Sequence, residues 1–526
     1  MRQPAFAKAQ RGRRISEDYT LPAPTGGWNT RDNISMMGEE FAIEVDNWFG
    51  TTSDVAVREG MVDHVTGIVN QVESLMPYNS ANGTQTLFAA AGEEFYDVTT
   101  AGTVGAAVQT GLSNARWQSV NFTITGGTSF LCAFNGTDSP RYFNGSTWIT
   151  ITGASSPAIV GVTPSDIISA TVFKRRMYLV ENNSLTLYYL PIDSVGGTVQ
   201  KTRLDGYFNK GGTIVQCGTW TIDGGEGLDD RLVVISSEGQ LAVFQGTNPS
   251  SVATWGLIGV WNIGQPVSRR CMVKKGGDLL VLTTDGLVPL SSALISAQGN
   301  NSLDEKELLS YLINDAMRDA TTLYKTNFGW GLAYDPEGNQ LIMNVPVVEG
   351  SQQQQYVMNT TKNSWWRYTG LEANCWEVFD DRLYFGGSGV VCKFGQVFDD
   401  SGDQIGASIK QAFSYLGSRG RKKVMNAVRP NLLANGQPGV SMSFAVDYGE
   451  SPPDTPLSFA APVFAVWDTA IWDGGVWGGG LVPFSEWQTV GAVGTAVALR
   501  MKTATNGIEL RYASADLVFE YGGPIT

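Results

Sequence analysis

A chain of 526 residues is longer than one ordinary domain, and 62 glycines beside only 16% charged residues argue against an architecture of long surface helices and for a turn-rich one. Hydrophobic residues at 42%, with 15 Trp, 18 Tyr and 23 Phe, suffice for a sizeable core and exclude wholesale disorder. A formal net charge of −14 argues against a sequence-reading nucleic-acid binder, which gathers Lys and Arg to neutralise phosphates, but not against a surface past which DNA slides.

The first twenty residues carry Arg2, Lys8, Arg11, Arg13 and Arg14 without an apolar run. They read as a flexible basic arm rather than a secretory signal, with Arg11, Arg13 and Arg14 as candidate contacts to an adaptor protein or DNA. No stretch of about 18 apolar residues follows anywhere, so no membrane-spanning segment is expected, and synthesis in a cytoplasm is. His64 is the single histidine, which removes most zinc sites and Ser-His or Cys-His dyads; it is expected on a surface or loop. Cys132, Cys217, Cys271, Cys375 and Cys392 are scattered without a CxxC pair, favouring buried reduced thiols. No catalytic residue, metal site or cofactor is predicted.

From about residue 84 a loose unit recurs: a short apolar strand, a Gly, Asn or Asp turn, a second strand. With Leu87, Phe130, Met177, Leu232, Leu279, Leu341 and Leu383 as matching positions, the gaps are 43, 47, 55, 47, 62 and 42 residues. Such spacing is near the roughly 40 to 50 residues of a propeller blade, and a stack of β-sandwiches is the rival. The longest gap contains "SLDEKELLSYLINDAMRDA", where Leu308, Leu309, Leu312, Ile313, Ala316, Met317 and Ala320 fall at helical spacing behind a Ser302/Glu305 capping box. It predicts an amphipathic helix near 303–320. Beyond about residue 400, "GVSMSFAVDY" and "GIELRYASADLVFEY" alternate apolar and polar residues like half-buried antiparallel strands. Residues 21–80 also lack the blade unit. The expected layout is therefore all-β: an arm at 1–20, a β-propeller over 81–400, and a β-sandwich-like platform domain formed by both chain ends, 21–80 and 401–526.

"VWDTAIWDGGVWGGG" (466–480) repeats a pentad three times, placing Trp467, Trp472 and Trp477 five apart. Two Trp-Asp dipeptides within seven residues do not fit one per blade, so it is no propeller signature. Asp468 and Asp473 could serve as a glycosidase pair with tryptophans stacking on sugar, but Trp in Gly-rich turns more often packs or makes interfaces. "YFNGSTW" at Trp148 and "NTTKNSWW" at Trp366 resemble the tail of the aspartate box of sialidase-like propellers, a fold-stabilising turn. "DGGEGLDDR" clusters Asp223, Glu226, Asp229 and Asp230 without EF-hand spacing, which suits a solvated loop better than calcium. "SRGRKKV" holds Arg419, Arg421, Lys422 and Lys423, the densest internal basic patch. It could meet DNA phosphate or an acidic partner, with a solvated turn as the plainer reading.

Residues 21–60 resemble the start of tail proteins of short-tailed bacteriophages, through Gly26, Gly27, Asn29, Arg31, Asp32, Asp46, Asn47, Trp48, Arg58 and Gly60. "LPIDSVGG" from Leu190, the stretch from Thr219 to Arg270 and "GDLLVLTTDGLVPLS" from Gly277 are similar to the same family, the tail nozzle or tail tubular protein B of podoviruses. The resemblance implies no enzyme. It implies a virion structural protein forming a ring, usually a hexamer, that extends the DNA conduit below the head-to-tail adaptor, for genome retention and ejection. Its partners would be its own copies, the adaptor ring and tail-fibre or tail-tip proteins, with genomic DNA passing the lumen unread. Trp28, Trp48, Trp467, Trp472 and Trp477 would be packing or interface residues of the platform. The alternative from another class is a carbohydrate-binding or glycoside-hydrolysing propeller, adhesin-like, using Asp468 and Asp473.

Overall fold

The computed structural model describes residues 16–223, 228–251, 253–293, 304–450, 452–459, 464–465, 476–477 and 480–524. The chain divides into two compact units. One comprises 1–28, 32–58 and 404–526; the other comprises 29–31 and 59–403.

The first unit joins both ends of the chain in β-structure. Strand Ser16–Pro22 runs antiparallel to Leu510–Pro524, Ser16 opposite Glu520, and Leu510–Pro524 pairs in turn with Arg421–Ala434 and Val55–Val57. In a second set, Phe41–Asp46 pairs with Ile405–Gln411, that strand with Val497–Thr505, and Val497–Thr505 with Val440–Val446. Along Arg421–Ala434 buried residues alternate with half-exposed ones. That is the pattern of an antiparallel strand with one face on a core and one toward water. Of the two stretches read as alternating, Leu510–Glu520 follows the pattern, whereas Val440–Val446 is buried at 440 and at 442–445, so both of its faces are covered.

The second unit is a β-propeller. Antiparallel meanders follow one another at Gln118–Thr150, Ile167–Arg203, Ile214–Asn262, Met272–Pro289 and Gly331–Thr369. The ring is completed by Cys375–Phe394 and by Val72–Asp97. Each sheet contacts the next, and Cys375–Phe379 and Gln118–Thr123 both contact Met61–Asn79, which closes the circle. Closure uses one long strand twice: the first half of Met61–Asn79 pairs with Ser388–Phe394, and its second half pairs with Gln85–Ala91. Each matching position of the sequence repeat lies on the second strand of one sheet, and Leu87, Phe130, Met177, Leu232, Leu279, Leu341 and Leu383 are all buried. A second strand is flanked on both edges and covered on both faces, which is why it carries the strongest apolar signal.

The helix differs from expectation. Instead of one amphipathic helix near 303–320, two 3-10 turns, Glu305–Glu307 and Tyr311–Ile313, precede an α-helix at Asn314–Tyr324. Ser302 lies outside the described residues; Asp304 provides the cap, its carboxylate accepting from Lys306 N. The reason is competition for backbone groups. Leu309 N donates to Leu287 O at 3.0 Å, Leu309 O accepts from Trp365 Nε1 at 2.7 Å, and Ser310 Oγ accepts from Leu287 N at 2.9 Å. Bonds to a neighbouring strand and an indole hold Leu309 and Ser310 out of the helix that their apolar spacing alone would allow.

All five cysteines are buried and unpaired, and burial pushes the Cys271 and Cys375 thiols up to about 12. Among the described residues no helix is long and apolar enough to cross a membrane.

Candidate functional site: a packing lock, a bolted axis and a basic turn

The motif carried by residues 46–60 is a lock within the chain. Asn47 sits at φ 59, a left-handed conformation that Asn tolerates better than most residues. There its side-chain carbonyl accepts from Arg58 Nε at 2.9 Å while its amide donates to Gly406 O at 2.8 Å. The Arg58 backbone N–H closes the loop on Asn47 O at 2.9 Å, and both side chains are buried. Trp48 is wholly buried, and Trp28, also buried, donates Nε1 to Ile43 O at 3.1 Å. Both tryptophans therefore act in packing, and neither presents a face for an interface. At Gly60 any Cβ would overlap the backbone of Asp399, so only glycine fits this close approach.

Trp467, Trp472, Asp468 and Asp473 lie outside the described residues, as do Arg11, Arg13 and Arg14. Trp477 is described by its backbone alone, Val476–Trp477 running parallel to Phe464–Ala465. The acidic stretch expected as a loop is largely strand: Asp223 ends Ile214–Asp223, and Asp229 and Asp230 lie on Leu228–Ser236, while Glu226 lies outside the described residues. Asp230 accepts from Thr221 Oγ1 at 2.8 Å and from Lys174 Nζ at 3.3 Å. Burial raises its carboxyl, but these bonds and the Lys174 charge outweigh that and hold it below the usual range. Among the described residues no group of three metal-ligating side chains forms. The two aspartate-box-like tails are turns. Asn144 Oδ1 accepts from Ser146 N and Thr147 N at 3.0 and 2.9 Å, and Asn359 Oδ1 accepts from Thr361 N and Lys362 N at 2.9 and 3.1 Å. His64, expected on a loop or surface, lies half-buried on strand Met61–Asn79, with Nε2 3.0 Å from Val98 O and its ring edge-on to Tyr384. The aromatic neighbour and one carbonyl suffice to hold a lone imidazole.

The propeller axis is held by residues that no motif singled out. Arg270, in the loop before Met272–Lys275, reaches non-neighbouring sheets: Nη2 donates to Glu73 O at 2.9 Å, Ser74 Oγ at 2.7 Å and Trp117 O at 3.2 Å. Arg116 bonds Glu73 at 3.1 Å and Glu349 at 2.6 Å. Both guanidiniums face the Phe328 ring, at 4.3 Å for Arg116 and 5.2 Å for Arg270. Glu377 completes the cluster. Burial lifts its carboxyl to about 7, against the smaller opposing pull of its bond from Val378 N and of the Arg270 charge. Because its folded pKa is raised, the native propeller binds a proton that the unfolded chain has released between about pH 4.5 and 7. This site's contribution to stability is thus present below that window and lost as pH rises through it. Glu377→Gln is expected to be the more stable chain at pH 8, by on the order of 2 kcal/mol, with the difference shrinking toward pH 4.5. Urea unfolding at the two pH values tests this, and equal differences at both would count against it.

Arg419, Arg421 and Lys422 are exposed on the turn leading into Arg421–Ala434. Lys423 is not part of that surface: it is buried, and its ammonium donates to Thr495 O at 2.7 Å and to Ser418 O. Burial lowers its pKa. Strand alternation turns Lys423 to the face opposite Lys422, and a register shift against Leu510–Pro524 between Arg421 and Lys423 sets Arg421, the first residue of the strand, apart from it. A cleft of about 1080 Å³ in the propeller unit is lined by Glu238, Asp285, Asp304, Arg318 and Lys325 among others, with no aromatic side chain among the described residues of its lining. Such a wall lacks the stacking platforms that a sugar subsite would use.

No protein-family model matches the chain, and no curated protein sequence does. Solved structures similar to it include YCF48 bound to D1 peptide, at 11% identity and TM-score 0.34 over 67% of this chain and 96% of that one. A glycoside hydrolase family 43 arabinoxylan arabinofuranohydrolase from Bacillus subtilis is similar at 10% identity and TM-score 0.26, over 88% and 96%. An exo-beta-1,3-galactanase from Phanerochaete chrysosporium is similar at 9% and 0.29, over 87% and 100%. At these scores the similarities carry no argument about activity.

Proposed function

We propose that this chain is a virion structural protein, the nozzle subunit of a short phage tail, assembling as a ring, hexameric by resemblance, below the head-to-tail adaptor. The observation that carries the reading is the set of residues shared with such tail proteins across 26–60, several of which this chain uses in one buried lock, Asn47–Arg58–Gly406. An acidic chain suits a conduit, because each cationic contact to phosphate adds affinity and slows passage. Arg270 ties together segments of non-neighbouring sheets at the centre of the propeller, and the DNA path in this reading lies among the subunits of the ring. The protein is then no enzyme and resides in the virion tail, contacting its own copies, the adaptor and tail-tip or fibre proteins. The glycoside-hydrolysing alternative rests on Asp468 and Asp473 alone. Sedimentation of a native lysate tests the choice: the chain is expected with DNA-filled particles. A chain found only in the soluble fraction, releasing reducing ends from polysaccharide, would overturn the reading.

A further inference from the structure

The cations of the platform unit are unevenly matched. Among its described residues Lys410 pairs with Glu44, Arg429 with Asp516, Arg500 and Lys502 with Asp454, and Arg511 with Glu509. Arg58 is held by Asn47 and Lys423 by carbonyls. Among the described residues Arg419, Arg421 and Lys422 have no carboxylate within ion-pair distance, and all three stand within four residues on one turn. Two are held rigidly. Arg419 lies 4.4 Å over the Tyr415 ring with its Nη atoms against Met36 Sδ at 3.5 and 3.6 Å, and Arg421 lies 5.4 Å over Tyr521. Tyr521 is itself tied by its hydroxyl to Leu416 O at 3.0 Å. Beside them the same unit exposes Met36 at 69%, Tyr448 at 39% and Val493 at 58%, and Tyr448 is hydrogen-bonded to Tyr415.

An arginine stacked on tyrosine has less side-chain entropy left to lose when a carboxylate binds; among the described residues the Arg421 fork meets only the Tyr521 ring, and the Arg419 fork meets the Tyr415 ring and the weak thioether acceptor of Met36, which a carboxylate outcompetes. Arg, Tyr and Met around an apolar centre are the composition of a protein interface. A single-stranded nucleic acid would need open aromatic faces for its bases, and here the arginines lie over the Tyr415 and Tyr521 rings. The partner chemistry is therefore a protein surface rich in Asp and Glu, and the chain itself supplies one. Most of its acidic excess falls in the propeller unit, residues 59–403.

We infer that the Arg419–Lys422 turn, with Met36, Tyr448 and Val493, is one half of a head-to-tail contact that docks on the acidic propeller unit of a second copy of this chain. The inference rests on the ring reading above, and a contact between unlike faces is what closes a ring. The test uses the purified full chain, comparing wild type, Arg419→Glu/Arg421→Glu/Lys422→Glu, and Arg419→Lys/Arg421→Lys by sedimentation and native mass spectrometry. Wild type is expected to self-associate less as ionic strength rises toward about 0.5 M. The charge-reversed chain is expected to need at least about tenfold higher concentration to do so, and the lysine variant, which keeps charge but loses the fork, to fall between. Retention of the circular dichroism melt by the reversed chain ties the loss to the surface. Self-association unchanged by charge reversal overturns the inference, as does a reversed chain that assembles normally but loses binding to a labelled single-stranded oligonucleotide. Sedimentation with particles is scored separately, so the inference can fail while the tail reading stands.

Discussion

Arg58→Ala is expected to destabilise the unit formed by the chain ends by about 3 kcal/mol or more, because it empties a buried guanidinium site and leaves the Asn47 carbonyl without its donor. The loss should not stop at one hydrogen bond. Asn47 is strained at φ 59 and is kept there by its contacts to Arg58 and Gly406, so a released Asn47 also frees the backbone that seats Trp48. Arg58→Lys tests the geometry: it restores a charge but not the Nε donor, and it should recover only part of the stability. Since the chain has two units, unfolding is expected in more than one step. The measurement is therefore urea unfolding followed by limited proteolysis with mass spectrometry, which reports which unit opens first. Early cleavage confined to 16–58 and 404–524 is the expected pattern. A variant whose unfolding curve superimposes on wild type would show that the lock carries no stability.

Arg270→Ala is expected to have an effect of similar size in the other unit. Its one Nη2 group ties Glu73, Ser74 and Trp117, carried by sheets that do not adjoin its own in the ring. Loss of these charge-assisted bonds, and of the cation over Phe328, should cost roughly 2 to 4 kcal/mol. A second consequence distinguishes this from simple loss of packing. Arg270 is the positive charge that pulls the Glu377 carboxyl down, so its removal should move Glu377 still higher. The decline of propeller stability with rising pH should then continue to a higher pH than in wild type. Arg270→Lys keeps the charge and should leave the pH profile nearer its original place while recovering less of the stability. An Arg270→Ala protein with wild-type stability and an unchanged pH profile would contradict the bolted-axis description.

The repeat was readable because the second strand of each sheet is covered on both faces and is therefore uniformly apolar, as Leu232–Ile235 and Leu279–Leu282 show. The inner strands were less legible. Gln118–Thr123 is half-exposed and mixed in composition, and a strand facing a polar axis carries little hydrophobic signal. Closure through Met61–Asn79 was missed for a different reason: one long strand serves two sheets, and the change of partner is marked only by Gly67 at φ 82, Asn70 at φ 75 and shifts of register, which read in sequence as ordinary strand residues. The helix boundary failed where tertiary bonds to Leu309 and Ser310 overrode local spacing. Arg270 and Glu377 were missed because their roles depend on neighbours distant in sequence, and a lone Arg or Glu has no pattern. The basic turn was legible as a charge cluster, but the separation of Lys423 from its neighbours depends on strand alternation together with a register shift that no local pattern marks. For Trp28 and Trp48 the sequence named packing and interface together, and only their burial in the fold separates the two.

The proposed role makes this chain a stoichiometric part of a phage tail. Quantitative peptide mass spectrometry of gradient-purified, DNA-filled particles tests it most directly, by comparing this chain with the portal and major capsid proteins in the same fractions. A sixfold ring predicts co-migration at about half the copy number of a twelvefold portal. Particles that contain portal and capsid protein at full complement and no trace of this chain would contradict the account.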